Sequence, residues 1–227
     1  MNKLEVNLII IAMDEEFDCL IEALDNQYQI IGGEDQHYLF TRHNENFLAV
    51  KGKIGKVNTS FYLGKLSQIY QIKKIYNLGT SGGVDPQVKI GDVVIAERVR
   101  YYDVDVTGFN YPMGQVPGSP LDYLCDKLVL EKRVVGDGFT IHKGLIASGD
   151  SFITKNNFSH FPLEEIRPLA VEMESGAVSQ CADKLNVPLI VIRSISDLVL
   201  KEGNSEAFDN NLIKASQNCV KVLLQLI

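Results

Sequence analysis

The run Val171-Glu172-Met173-Glu174-Ser175-Gly176 sets two carboxylates and a thioether between a short apolar segment and small residues that suit a helix start. A charge at the end of a buried strand costs free energy unless it is paired or hydrogen-bonded. This run therefore needs a partner, and a carboxylate there can accept the hydroxyls of a sugar diol. Two similar punctuations follow apolar runs: Ser148-Gly149-Asp150-Ser151-Phe152-Ile153 and Arg193-Ser194-Ile195-Ser196-Asp197. Phe152 and Ile153 are core residues in the ordinary case, although after Gly149-Asp150 they also make a flat slot for a purine ring. Asp197 either caps a turn or presents an acid, and no Glu or Gln stands three residues later to complete a capping box. In Ala12-Met13-Asp14-Glu15-Glu16 the acids suit the positive end of a helix dipole, which accounts for Asp14 and Glu15. Glu16 lies deepest in that turn and can point back over a sheet edge. Asn77-Leu78-Gly79-Thr80-Ser81-Gly82-Gly83 reads as a Gly-rich turn after a strand, with spacing that fits neither a Walker loop nor a dinucleotide fingerprint. It leaves the Thr80 hydroxyl near the same edge.

These residues need strands to carry them. Apolar runs alternate with helical periodicity, the pattern of a mostly parallel or mixed twisted sheet covered by helices on both faces, a three-layer α/β/α arrangement. Strands are expected over residues 6–12, 29–31, 38–41, 47–50, 74–78, 92–106, 143–147, 169–171 and 188–194. Helices are expected over 14–24, 57–69, 175–185 and 211–227. The first helix puts Phe17, Leu20, Ile21 and Leu24 on one face; the second does so with Phe61, Leu63, Leu66 and Ile69; the last carries Leu212, Ala215, Cys219, Val222 and Leu226. Ligands of open α/β sheets sit beyond the carboxyl ends of the strands. Three neighbouring strand ends thus offer Phe152, Met173, Glu174, Arg193 and Asp197 to one cleft, which is the composition of a nucleoside site. Residues 103–120, rich in Gly, Pro, Tyr and Asp, are long for a plain connection and read as a functional or interface loop.

Composition sets the outer bounds. A chain of 227 residues that is 45% hydrophobic can build one large core, and no repeat or linker divides it, so residues 1–227 are expected to form a single domain. The net charge of −7 and the dispersed Lys and Arg argue against nucleic acid as a partner. Cys19, Cys125, Cys181 and Cys219 make no Cys-x-x-Cys and read as buried reduced thiols, and the four histidines lack metal-ligand spacing. The N-terminal apolar run breaks at once at Asp14, Glu15 and Glu16, so neither a signal peptide nor a membrane span is read, and a cytoplasmic protein is expected.

In order along the chain, Ala12 to Glu16, Ile54-Gly55-Lys56-Val57, Asn77 to Gly83, Gly91-Asp92-Val93-Val94, Tyr101 to Thr107, Gly114-Gln115-Val116-Pro117-Gly118, Ser148 to Ile153, Val171 to Glu174 and Arg193 to Asp197 together resemble the 5′-methylthioadenosine/S-adenosylhomocysteine nucleosidases of the purine nucleoside phosphorylase-like superfamily. The resemblance covers nearly the whole chain. It implies a nucleoside phosphorylase-like fold and a homodimer that hydrolyses the bond between adenine and ribose in adenine thionucleosides, with no metal and no organic cofactor.

Carried over residue by residue, the resemblance makes Glu16 the carboxylate that orients and deprotonates water, helped by Thr80 and Arg193. Glu174 accepts the ribose hydroxyls and Met173 packs on the sugar. Asp197 handles the proton at adenine N7, supported by Ser196, while Phe152 and Ile153 hold the base by ring contact and backbone bonds. Met13, Ile54 and Phe208 line the sugar and alkylthio side, and Val106 and Phe109 reach into the partner subunit's site. Glu16 is expected to be ionised and Asp197 to have a raised pKa. A phosphorylase would want arginines where Asn77 and Glu16 stand; a futalosine-type nucleosidase and a non-catalytic nucleoside-binding protein are the other readings. The chain departs from the pattern with Gly52-Lys53 for Ser-Gly, Thr80-Ser81 for Ser-Ala, Tyr102 for His, and a different segment between Asp197 and Phe208, where Lys201, Glu202 and Gly203 are read as a mobile loop.

Overall fold

The computed structural model describes residues 3–31 and 37–227. Along the chain it forms β1 (Glu5–Ile11), α1 (Asp14–Ala23), β2 (Gln29–Ile31), β3 (His37–Arg42), β4 (Glu45–Lys51), α2 (Lys56–Ile69), β5 (Gln71–Gly83), β6 (Val93–Tyr101), β7 (Tyr123–Leu124) and α3 (Lys127–Glu131). There follow β8 (Ile141–Ser148), α4 (Leu163–Ile166), β9 (Ala170–Glu172), α5 (Ser175–Leu185), β10 (Leu189–Leu198) and α6 (Asn204–Leu226). The strands make one mixed sheet, ordered β10-β6-β8-β9-β5-β1-β4-β3-β2, with β7 on β6. β1 runs parallel to β4 and β5, and β5 parallel to β10, whereas β6 meets β10 antiparallel. Because β10 also pairs with β5, five strands close into a ring, β5-β10-β6-β8-β9. Register shifts between Ala96 and Arg98 and between Ile195 and Asp197 supply the local bends that such closure requires.

Central strands covered on both faces read as continuous apolar runs rather than alternating ones, and Leu8 to Ile11 of β1 and Leu189 to Ile192 of β10 do so. Leu8, Ile10, Ile75, Val191 and Ile195 face α2 and α5 through Leu63, Leu66 and Val178. Ile9, Ile11, Tyr76, Leu78 and Ile192 face α1 and α6 through Phe17, Leu20, Cys219 and Val222. Each large apolar side chain buried in this way contributes about 1.5–3 kcal/mol. The stripe of Leu212, Ala215, Cys219, Val222 and Leu226 is buried as expected.

Four expectations change. The Gly-rich run at 77–83 is not a turn but the last half of β5; its glycines serve close packing, since a Cβ on Gly79 would lie 2.1 Å from the Arg193 guanidinium. β6 stops at Tyr101 instead of running to 106, because Tyr102 turns its hydroxyl to the Ser151 carbonyl at 2.7 Å. α6 begins at Asn204, seven residues earlier than the apolar stripe indicates, after Gly203 in the left-handed region. On α2 only Leu63 and Leu66 of the expected face are buried; Phe61 is 69% exposed and Ile69 48% exposed.

Candidate active site

A cavity of about 230 Å³ opens at the carboxyl ends of β1, β5, β8, β9 and β10, the edge where ligands of such sheets bind. Its walls include Met13, Glu16, Ile54, Thr80, Phe152, Ile153, Met173, Glu174, Ser196, Asp197 and Phe208. One chain thus gathers eleven of the fourteen residues singled out from the sequence.

Glu16 occupies the first turn of α1 and is buried. Its Oε1 accepts the Thr80 backbone N–H at 2.7 Å and the Thr80 hydroxyl at 2.9 Å, and its Oε2 accepts the Met13 N–H at 3.3 Å. Burial raises its pKa, against the opposing pull of Arg193 and of the Thr80 bonds.

Glu172 and Glu174 diverge although they are two residues apart. Glu172 turns inward and accepts the N–H groups of Glu174 and Ser175 and the Ser175 hydroxyl, which places its charge at the positive end of α5. It also forms a buried ion pair with Arg193. Burial opposes its charge, but Arg193 and the Ser175 bonds prevail and hold its pKa below the ordinary carboxylate value. Glu174 keeps one bond, from the Gly55 N–H at 3.0 Å, and lies 3.6 Å from Arg193. Gly55 has φ +94°, a conformation that few side chains tolerate. Burial and the neighbouring Glu172 push Glu174 up to about 8.

Asp197 follows the register shift in β10, the kind of irregularity that re-aims a side chain. Its Oδ1 accepts the Ser196 hydroxyl at 2.9 Å and its Oδ2 the Asn204 side-chain amide at 3.0 Å. Burial raises its pKa and these two bonds temper the rise. Across the opening, Phe152 and Phe208 meet edge to face with centroids 5.8 Å apart.

The pattern of the Phosphorylase superfamily matches residues 8–227. A 5′-methylthioadenosine/S-adenosylhomocysteine nucleosidase of Maridesulfovibrio salexigens is 35% identical over 229 residues, covering 96% of this chain and 97% of its own. The chain belongs to this nucleosidase family. The S. pneumoniae nucleosidase, solved with the transition-state inhibitor MT-ImmA, superposes with a TM-score of 0.88 at 34% identity, over 98% of each chain. Futalosine hydrolase of Helicobacter pylori reaches 0.86 at 28% identity, over 98% of this chain and 97% of that one.

Three of the fourteen, two of which the resemblance assigns to the partner subunit's site, do not line this chain's own cavity. Arg193 is fully buried beneath the cavity instead of lining it: its Nη2 donates to Asn77 Oδ1 at 2.7 Å and to Glu172. Val106 and Phe109 stand away from the cavity, and Phe109 is 78% exposed. The sequence reading left Glu172 and Asn204 without roles. Glu172 was visible as the second acid of its run, but only a fold shows that Arg193 pairs with it. Asn204 gave no signal, because it sits seven residues beyond Asp197 in a segment without periodicity.

Proposed function

We propose that the protein hydrolyses the N-glycosidic bond of 5′-methylthioadenosine and S-adenosylhomocysteine, releasing adenine and the 5-thioribose product. One observation carries the choice of water over phosphate. Among the described residues, the cavity walls hold Glu16, Glu172, Glu174 and Asp197 and no Lys or Arg, so no wall cation neutralises a phosphate dianion, whereas a ribose acquiring positive charge would meet carboxyl oxygens. Breaking the bond builds that cation on the sugar and electron density on the base. Asp197, with its raised pKa, supplies or holds the proton at the purine nitrogen. Glu16, fixed by Thr80 and Met13, takes a proton from water, and a raised pKa makes it a stronger base whenever it is ionised. Glu174 receives the ribose hydroxyls beside Met173, and Phe152 with the Ile153 backbone holds the base.

The reading extends to a homodimer. Val57 (79% exposed) and Phe61 on α2 and Phe109 in the loop after β6 expose large apolar side chains, more than a monomer gains from exposing. The test of the activity is incubation with methylthioadenosine in phosphate-free buffer, with identification of the sugar. Free methylthioribose is expected; a ribose 1-phosphate formed only on adding phosphate would overturn the proposal. Futalosine in the same assay separates the second reading, which the H. pylori neighbour motivates.

A further inference from the structure

Asn204 touches two parts of the site with one amide group. Its Nδ2 donates to Asp197 Oδ2 at 3.0 Å and to the Ile153 carbonyl at 3.0 Å, and all three residues are buried. The two N–H bonds of that amide are thereby spent, one on the acid and one on the backbone beside the base slot. Four residues on, one helical turn away and on the same face, Phe208 closes the slot against Phe152.

We propose that Asn204 is a positioning residue that ties the Asp197 carboxyl to the Ile153 backbone, so that the proton donor and the base-holding loop after β8 keep one separation. This rests on the hydrolase reading above. The carbonyl keeps a second lone pair, which leaves it free to accept from an exocyclic amine of the base. Asp197 is held from both oxygens, by Ser196 and by Asn204. Other charged groups near the acid do not offer this tie: Glu16, Glu172 and Glu174 line the cavity, Arg193 is engaged beneath it, and Glu202 on the neighbouring turn pairs with Lys155 at 3.0 Å.

Asn204→Ala and Asn204→Ser test the tie. Ser suits a helix start, so it guards against a folding failure in the Ala variant, yet its hydroxyl can donate only one bond. For each variant, kcat/KM with methylthioadenosine is measured across pH, and adenine affinity is measured by titration calorimetry. An amide donor stabilises the ionised Asp197, so its loss raises the pKa of the acid, and an acid that must be protonated then stays active to higher pH. For Asn204→Ala we expect kcat/KM to fall about tenfold or more, the alkaline limb to move up by about half a unit or more, and adenine to bind about tenfold more weakly. Asn204→Ser should lie between Ala and wild type. A lower rate with an unmoved limb and unchanged adenine affinity would overturn the proposal, since a helix-capping role lowers stability without either effect. If the wild-type protein binds adenine but cleaves no nucleoside, the hydrolase reading fails by itself, and the adenine affinities still decide whether Asn204 orders the base slot.

Discussion

In the proposed mechanism two acids, Glu16 and Asp197, take opposite tasks with pKa values pushed the same way, and what separates them is hydrogen bonding. Glu16 accepts three bonds from fixed donors, Thr80 twice and Met13 once, whereas Asp197 accepts from Ser196 and Asn204 at the base side. Glu16→Gln preserves the shape and removes the base, so substrate should still bind while turnover falls about a hundredfold or more. Asp197→Asn should also lower turnover, but its cost should shrink for an analogue whose leaving group departs without protonation. Rates of both variants on methylthioadenosine and on such an analogue check the assignment; equal rescue of both would reverse or abolish it. Glu174 gives a separate test through stability. Its folded-state pKa of about 8 lies above the ordinary 4.5, so its contribution is fully present below about 4.5 and is lost as pH rises through about 8. Thermal melts of the free protein should show Glu174→Gln gaining on wild type as pH rises over that window, by about 2–4 °C for each kcal/mol removed. Glu172, shifted downward, contributes above the ordinary value and loses that contribution only on acidification.

At the scale of elements, strand ends deliver the chemistry and the short segments between them set its geometry. Lys53, in the link from β4 to α2, has φ 59° although it is not glycine, where related chains have Gly by the resemblance. A left-handed conformation costs an L residue about 1–2 kcal/mol, part of which the flexible glycine chain gives back. Lys53→Gly should therefore raise stability by about 1 kcal/mol, read as a Tm increase in a melt, with kcat unchanged because the exposed side chain makes no wall of the cavity. The legibility of the chain divides along similar lines. Apolar runs that lead into Glu-Met-Glu, Ser-Ile-Ser-Asp and Gly-Asp-Ser-Phe announced β9, β10 and β8 together with the cavity residues near their ends, although β10 runs on through Arg193 and Asp197 to Leu198. The run at Gly79 misled because glycine signals both turns and close approach, and only the Arg193 guanidinium against it tells the two apart. Arg193 itself was placed at the water, whereas its partner Glu172 lies across the sheet at a separation that no local spacing encodes. The early start of α6 escaped for a related reason: its first turns meet the site through Asn204, bonded to Asp197, and through Phe208 on the cavity wall, so they lack the apolar stripe that marks the rest of the helix.

The whole molecule leaves two of its nominated residues without a site. Phe109 and Val106 lie in the loop after β6, apart from the cavity of their own chain, and Phe61 and Val57 of α2 extend the apolar surface instead of the core. A two-fold dimer uses the same patch on both subunits, and in such a dimer one subunit's loop can complete the other's cavity while losing nothing at home. The proposal predicts complementation. A Val106→Ala/Phe109→Ala double variant spoils the cavity of its neighbour, and Glu16→Gln spoils its own; each homodimer should be poor. In a heterodimer of the two, the loop-variant chain keeps Glu16 and receives an intact loop from the Glu16→Gln chain, so one of the two sites is whole. Random pairing makes half of the dimers mixed, so co-expression should restore roughly a quarter of wild-type specific activity, and isolating the mixed species through two affinity tags should bring it to roughly half. If the mixture is no more active than the average of its parents, Val106 and Phe109 serve only their own subunit, and the exposed apolar face of α2 needs another occupant.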